Sequence, residues 1–79
     1  MKKPLQVRVG DILYEASESR KEVTKWVVLD ILIEDYIIPK TVVIVWCTKF
    51  GRIEKSPETV CCWHRTRAEA KECLEEMLQ

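Results

Sequence analysis

The sequence predicts an α+β fold: a small antiparallel curled sheet or SH3-like barrel of four to five strands with one C-terminal helix. Three observations carry this. Short runs rich in β-branched residues are separated by polar or Gly/Pro-containing turns. The connections are too short for crossover helices, so consecutive strands pair antiparallel and a chain of 79 residues must curl its sheet. The apolar period changes from two to three-and-four only once, near residue 66.

Element by element, "LQVRVGDILYEA" alternates apolar and polar in two registers, Val7 and Val9 and then Ile12, Tyr14 and Ala16. Gly10-Asp11 falls where the register slips and predicts a turn or bulge. "SESRKE" is polar throughout and reads as a hairpin loop. In "VTKWVVLDILIED" the odd positions Val23, Val27, Leu29, Ile31 and Ile33 form one apolar face, with Thr24, Asp30 and Glu34 on the other. Trp26, Val28 and Leu32 interrupt that second face, so it is expected to be partly covered. Pro39 in "YIIPK" lacks an amide proton and ends the strand. "TVVIVWCTK" is apolar on both faces and reads as a central strand. "FGRIEKSPET" is a turn with a short strand at 52–55, and "VCCWHR" reads as a final strand. Thr66-Arg67-Ala68-Glu69 is a capping box, and Ala70, Cys73, Leu74, Met77 and Leu78 follow at helical spacing. These predict a helix over about 66–78.

Composition narrows the function. At this length a folded chain hides only about 60–65% of the surface its unfolded form exposes, so the core is thin and the chain is one domain, 1–79. With 47% hydrophobic residues it nonetheless has enough apolar surface to fold. Thirteen basic residues balance thirteen acidic ones. A protein that lives by binding phosphate backbones carries a basic excess, and none is present. Zero net charge gives little protection against self-association, so a homo-oligomer is expected. Met1-Lys2-Lys3 is not followed by an apolar segment, and the span from Trp26 to Trp46 is interrupted by charges and Pro39. The expectation is a cytoplasmic protein with no membrane contact, whose four cysteines stay as thiols.

"VCCWHRTRAEAKECLEEM" gathers three cysteines, the only histidine and a tryptophan. Cys47, Cys61, Cys62, His64 and Cys73 are the possible metal ligands. Adjacent Cys61 and Cys62 on a strand would leave opposite faces, whereas structural zinc sites pair ligands two to four residues apart. A zinc-stabilised domain therefore stands third among the functional expectations, and the prediction is no metal and no cofactor, with cysteine acting as a small hydrophobe. Cys62 with His64 is the only local nucleophile–base pair, and nothing else converges on it, so no catalytic residue is assigned. Trp26, Trp46 and Trp63, with Lys49, Phe50, Arg52, His64, Arg65 and Arg67 at strand ends, could stack and neutralise a nucleotide or single-stranded nucleic acid; this is the second expectation. The first is a protein contact: Tyr36, Ile37 and Ile38 are large apolar groups in a predicted loop, and Trp46 and Trp63 complete the expected anchors.

"VRVGDILYEA", "WVVLDI" and "HRTRAEAKECLEEM" together resemble a loose class of short phage and prophage proteins. These open with a "VGD-x-aromatic" strand, form an SH3-like curled sheet and close with a "T-x-x-E-A" helix. The similarity spans about half the chain, and the cysteine content and long apolar central hairpin depart from it. The class has no shared activity or catalytic residues. The resemblance implies a non-enzymatic accessory factor in a bacterial host's cytoplasm that masks a partner protein or assembles with itself, in some cases antagonising host defence.

Overall fold

In the computed structural model, which describes residues 7–34, 37 and 39–79, four strands lie in the order of the sequence. They are β1 (Ile12–Ser17), β2 (Glu22–Glu34), β3 (Lys40–Cys47) and β4 (Gly51–Lys55), each antiparallel to the next. Two helices follow, α1 (Pro57–Cys61) and α2 (Arg67–Met77). The sheet is curled but unclosed, since β1 and β4 do not pair. The α+β class and the C-terminal helix are as the sequence predicts.

Each connection follows from its residues. Arg8 to Asp11 form a turn closed by the Asp11 amide on the Arg8 carbonyl at 3.0 Å, with Gly10 at φ +94° in the position that requires positive φ. β1 and β2 are joined by the polar turn at residues 18–21, flanked by the Ser17–Glu22 pair. β3 and β4 are joined by residues 48–50, with Gly51 at φ +73° supplying the left-handed residue that three-residue hairpins use. β3 is the central strand expected: Val42 to Val45 and Cys47 are all buried.

β2 departs from its expected face. Val27 pairs with Trp46 and Val28 with Val45, but the next pair is Asp30 with Ile44, so Leu29 is an extra residue in a β-bulge. The bulge exchanges the parity of the strand. Before it, the even positions Thr24, Trp26 and Val28 are buried; after it, Ile31 packs on the same core. The odd-numbered face is therefore not one face. Val23, Val27 and Leu29 lie on the side opposite the core, and only Ile31 and Ile33 lie on the core side, because a single inserted residue flips everything beyond it.

The segment "VCCWHR" is not a strand. Ser56 caps a short helix, its hydroxyl accepting from the Thr59 amide at 3.3 Å, and Pro57 occupies the first turn, where its missing amide proton is harmless. Val60 and Cys61 end that helix, and Cys62 and Trp63 turn the chain across to the outer edge of β1. There only His64 makes a bridge, exchanging both backbone hydrogen bonds with Tyr14 at 2.8 Å. α2 is capped as expected: the Thr66 hydroxyl accepts from the Glu69 amide at 3.2 Å and donates to the Glu69 carboxylate at 3.1 Å.

The two faces of the sheet carry different layers. Leu13, Trp26, Val28, Val43, Val45 and Cys47 build the core on the inner face, closed by Val7, by Val60 of α1 and by Trp63. The outer face carries Tyr14, because alternate residues of a strand leave opposite sides. α2 lies against β1 and β2 on that side, with the Arg67 guanidinium 5.3 Å from the Tyr14 ring centre and Ala70 and Leu74 buried beneath the helix. No helix among the described residues is long and apolar enough to cross a membrane.

Candidate functional site

The bulge at Leu29 determines what the outer face presents. Register places Ile12, Val27, Trp46 and Arg52 in one row across β1 to β4, and Asp30, Ile44 and Glu54 in the next. Leu29 shares the position of Asp30 opposite Ile44, and Leu32 pairs with Val42 further along. α2 covers only the part of this face around Tyr14. Beyond it, Ile12 (43%), Leu29 (43%), Leu32 (40%) and Trp46 (42%) are exposed around buried Ile44 and Val42. These large apolar groups share one sheet face; together they expose roughly 300 Å², the scale of the largest apolar patch on a typical monomer, which is often its functional one.

The rim of this face is charged. Lys25, Asp30, Arg52 and Glu54 all project on the same side and are exposed. Among the described residues none of the four has a side-chain partner, except that the Asp30 carboxylate accepts from the Ile31 amide at 2.8 Å. Other charges are engaged. Arg65 donates to Asp11 at 2.7 Å, which holds the Asp11 carboxyl below its ordinary range. Lys49 and then Arg20 bind Glu22 at 2.8 and 3.3 Å and hold it low for the same reason.

The five contact residues expected from sequence separate. Trp46 is on the open face. Ile37 is fully exposed between β2 and β3, and Ile33 near it is 74% exposed. Tyr36 and Ile38 lie outside the described residues. Trp63 is half-buried, stacked on Trp26 with ring centres 5.3 Å apart and planes at 15°. Sequence reasoning missed Ile12, Leu29 and Leu32, because their common face exists only once the bulge sets the register.

The residues expected for a nucleotide or nucleic acid are dispersed. Lys49 and Phe50 sit in the β3–β4 turn, where Phe50 stacks on Trp26 at 6.2 Å and lies beneath Arg20 at 4.8 Å. Arg52 is on the outer face beside Trp46, His64 and Arg65 run along the far edge of β1, and Arg67 lies over Tyr14. Trp26 is buried in the inner core with Trp63 packed on it, Phe50 ends the stack at 41% exposure, and the Trp26 indole donates to Glu15 at 3.0 Å.

Cys62, His64 and Cys73 do come to one shallow groove of about 350 Å³, together with Trp63 and Met77. Among the described residues, however, no three of the His, Cys, Asp and Glu side chains are placed to hold one metal ion. Cys61 and Cys62 are both exposed at the end of α1, Cys47 is buried in the core, and all four thiols are free. No protein family, curated protein or solved structure significantly matches this chain.

Proposed function

We propose that the protein is a non-enzymatic interaction module that binds another protein surface through the open outer face of its sheet, with Trp46 as the central anchor. The observation that carries this is the set Ile12, Trp46, Leu29 and Leu32, left exposed on a face of which α2 covers only the part around Tyr14. Aromatic groups at the centre of such a patch dominate contact energies, and the charged rim fixes orientation. A domain of this kind acts by covering a surface on its partner. That mode suits the accessory, masking role that the resemblance to phage proteins implies, and it requires no cofactor.

The test is a photoactivatable phenylalanine placed at Trp46 or, as a control, at Lys71 on the exposed side of α2. In host extract or with purified protein, the probe at 46 is expected to give discrete protein adducts at several times the yield of the probe at 71. Equal yields from both positions would refute the assignment of this face.

A further inference from the structure

The charge pattern around the open face narrows the choice of partner. We infer that the face is completed by a second copy of this chain, packed sheet to sheet about a two-fold axis; this rests on the contact surface proposed above and names its occupant. A cationic and an anionic group follow one another along each of two strands. On β4, Arg52 stands beside Trp46 and Glu54 beside Ile44. On β2, Lys25 and Asp30 stand on either side of Val28. Between these charges Val28, Val45 and Ile53 form one cross-strand row whose side chains point into the core.

A two-fold axis lying along that row, in the plane of the contact, exchanges the rows on either side of it. Arg52 of each copy then faces Glu54 of the other. Asp30 of the other copy comes opposite Val27, two residues along the strand from Lys25, a distance of about 7 Å that the lysine side chain can span. The same rotation lays Trp46 over the partner's exposed Leu29, beside Ile44 that each copy already buries, while the charges find opposite signs. Aligned sheet packing of this kind is a common way to bury two faces. α2 lies over β1 and β2 on one side of the axis and the end of β2 that carries exposed Leu32 lies on the other, so the rotation does not bring the two helices against each other. Arg52 and Glu54, with Lys25 and Asp30, thus follow an order that a second copy of the same face can match.

A contact built on roughly 300 Å² of apolar surface per copy plus its rim is at the small end of specific interfaces, so the dimer is concentration-dependent. The experiment is sedimentation velocity on the full chain, from about 1 µM to 1 mM, with Arg52→Glu, with Glu54→Lys and with an equimolar mixture of the two. Both positions are exposed, and circular dichroism confirms folding. The parent chain is expected to pass from monomer to dimer. Each variant alone, carrying like charges at both positions, is expected to need at least about tenfold higher concentration. The mixture restores association, because the acid introduced at position 52 of one variant meets the base introduced at position 54 of the other. The unaltered Arg52 and Glu54 of the two variants meet at the second, symmetry-related contact.

A parent chain that stays monomeric, a dimer indifferent to both reversals, or a mixture no tighter than its components would each overturn the inference. Should the parent be monomeric while the probe at 46 still captures a different protein, self-pairing fails and the contact face stands. Should the probe at 46 capture nothing while a dimer forms, the face itself has been misassigned.

Discussion

Trp26 is the side chain on which the inner core depends, and replacing it by phenylalanine gives a loss that can be worked out. It is only 2% exposed, lies between Trp63 and Phe50, and gives its indole proton to Glu15. Phenylalanine leaves roughly 40 Å³ unfilled, about 1 kcal/mol at ~24 cal/mol per Å³. Losing a hydrogen bond to a carboxylate costs about 1.5 kcal/mol, the low end for a charged acceptor, because Glu15 keeps Arg20 at 3.0 Å. The sum, about 2.5 kcal/mol, compares with a total stability of roughly 4–12 kcal/mol for a domain of this length. Trp26→Phe should therefore fold with a melting temperature lowered by about 10–20 °C. Trp26→Ala, at about 3–5 kcal/mol for the truncation plus the lost bond, should cost about twice as much as Trp26→Phe. Urea titration followed by far-ultraviolet circular dichroism reads this without depending on tryptophan emission. A Trp26→Phe loss under about 1 kcal/mol would refute the packing described for the inner face.

Two further outcomes follow from local structure. Thr66→Ala removes the cap of α2 and should lower stability by about 1 kcal/mol in the same titration, with Thr66→Ser close to the parent. Asp11 has its folded-state pKa lowered chiefly by the hydrogen bond from Arg65, so its contribution is present above the unfolded carboxylate pKa and is lost as pH falls through the lower folded value. Asp11→Asn should therefore show a shallower loss of stability than the parent between about pH 5 and pH 2; an unchanged acid limb would show that this ion pair does not couple to folding.

Much of the fold was legible in the sequence because it is written in local chemistry. Gly10-Asp11 and Gly51 mark turns that need positive φ, the unbroken apolar run from Val42 to Val45 marks a strand covered on both sides, and Thr66 with Glu69 marks a helix start. Two features were not read. "VCCWHR" has strand-like composition, but Ser56-Pro57-Glu58 just before it is a helix start, and the helix it begins takes in Val60 and Cys61. The bulge at Leu29 has no residue signature, since any residue can be inserted in a strand, and its only trace is that Trp26 and Val28 appear on the supposedly polar side of β2. The contact face depends on that bulge. The clustering of large apolar residues in a predicted loop pointed instead to Tyr36, Ile37 and Ile38 and left Ile12, Leu29 and Leu32 out of the contact set.

The photo-cross-linking comparison at positions 46 and 71 tests the central claim most directly, because it asks the open sheet face itself whether another protein lies on it. Adducts formed from 46 at several times the yield from 71 are the predicted result. Equal yields, or adducts from 71 alone, would mean that the exposed row around Trp46 is only surface.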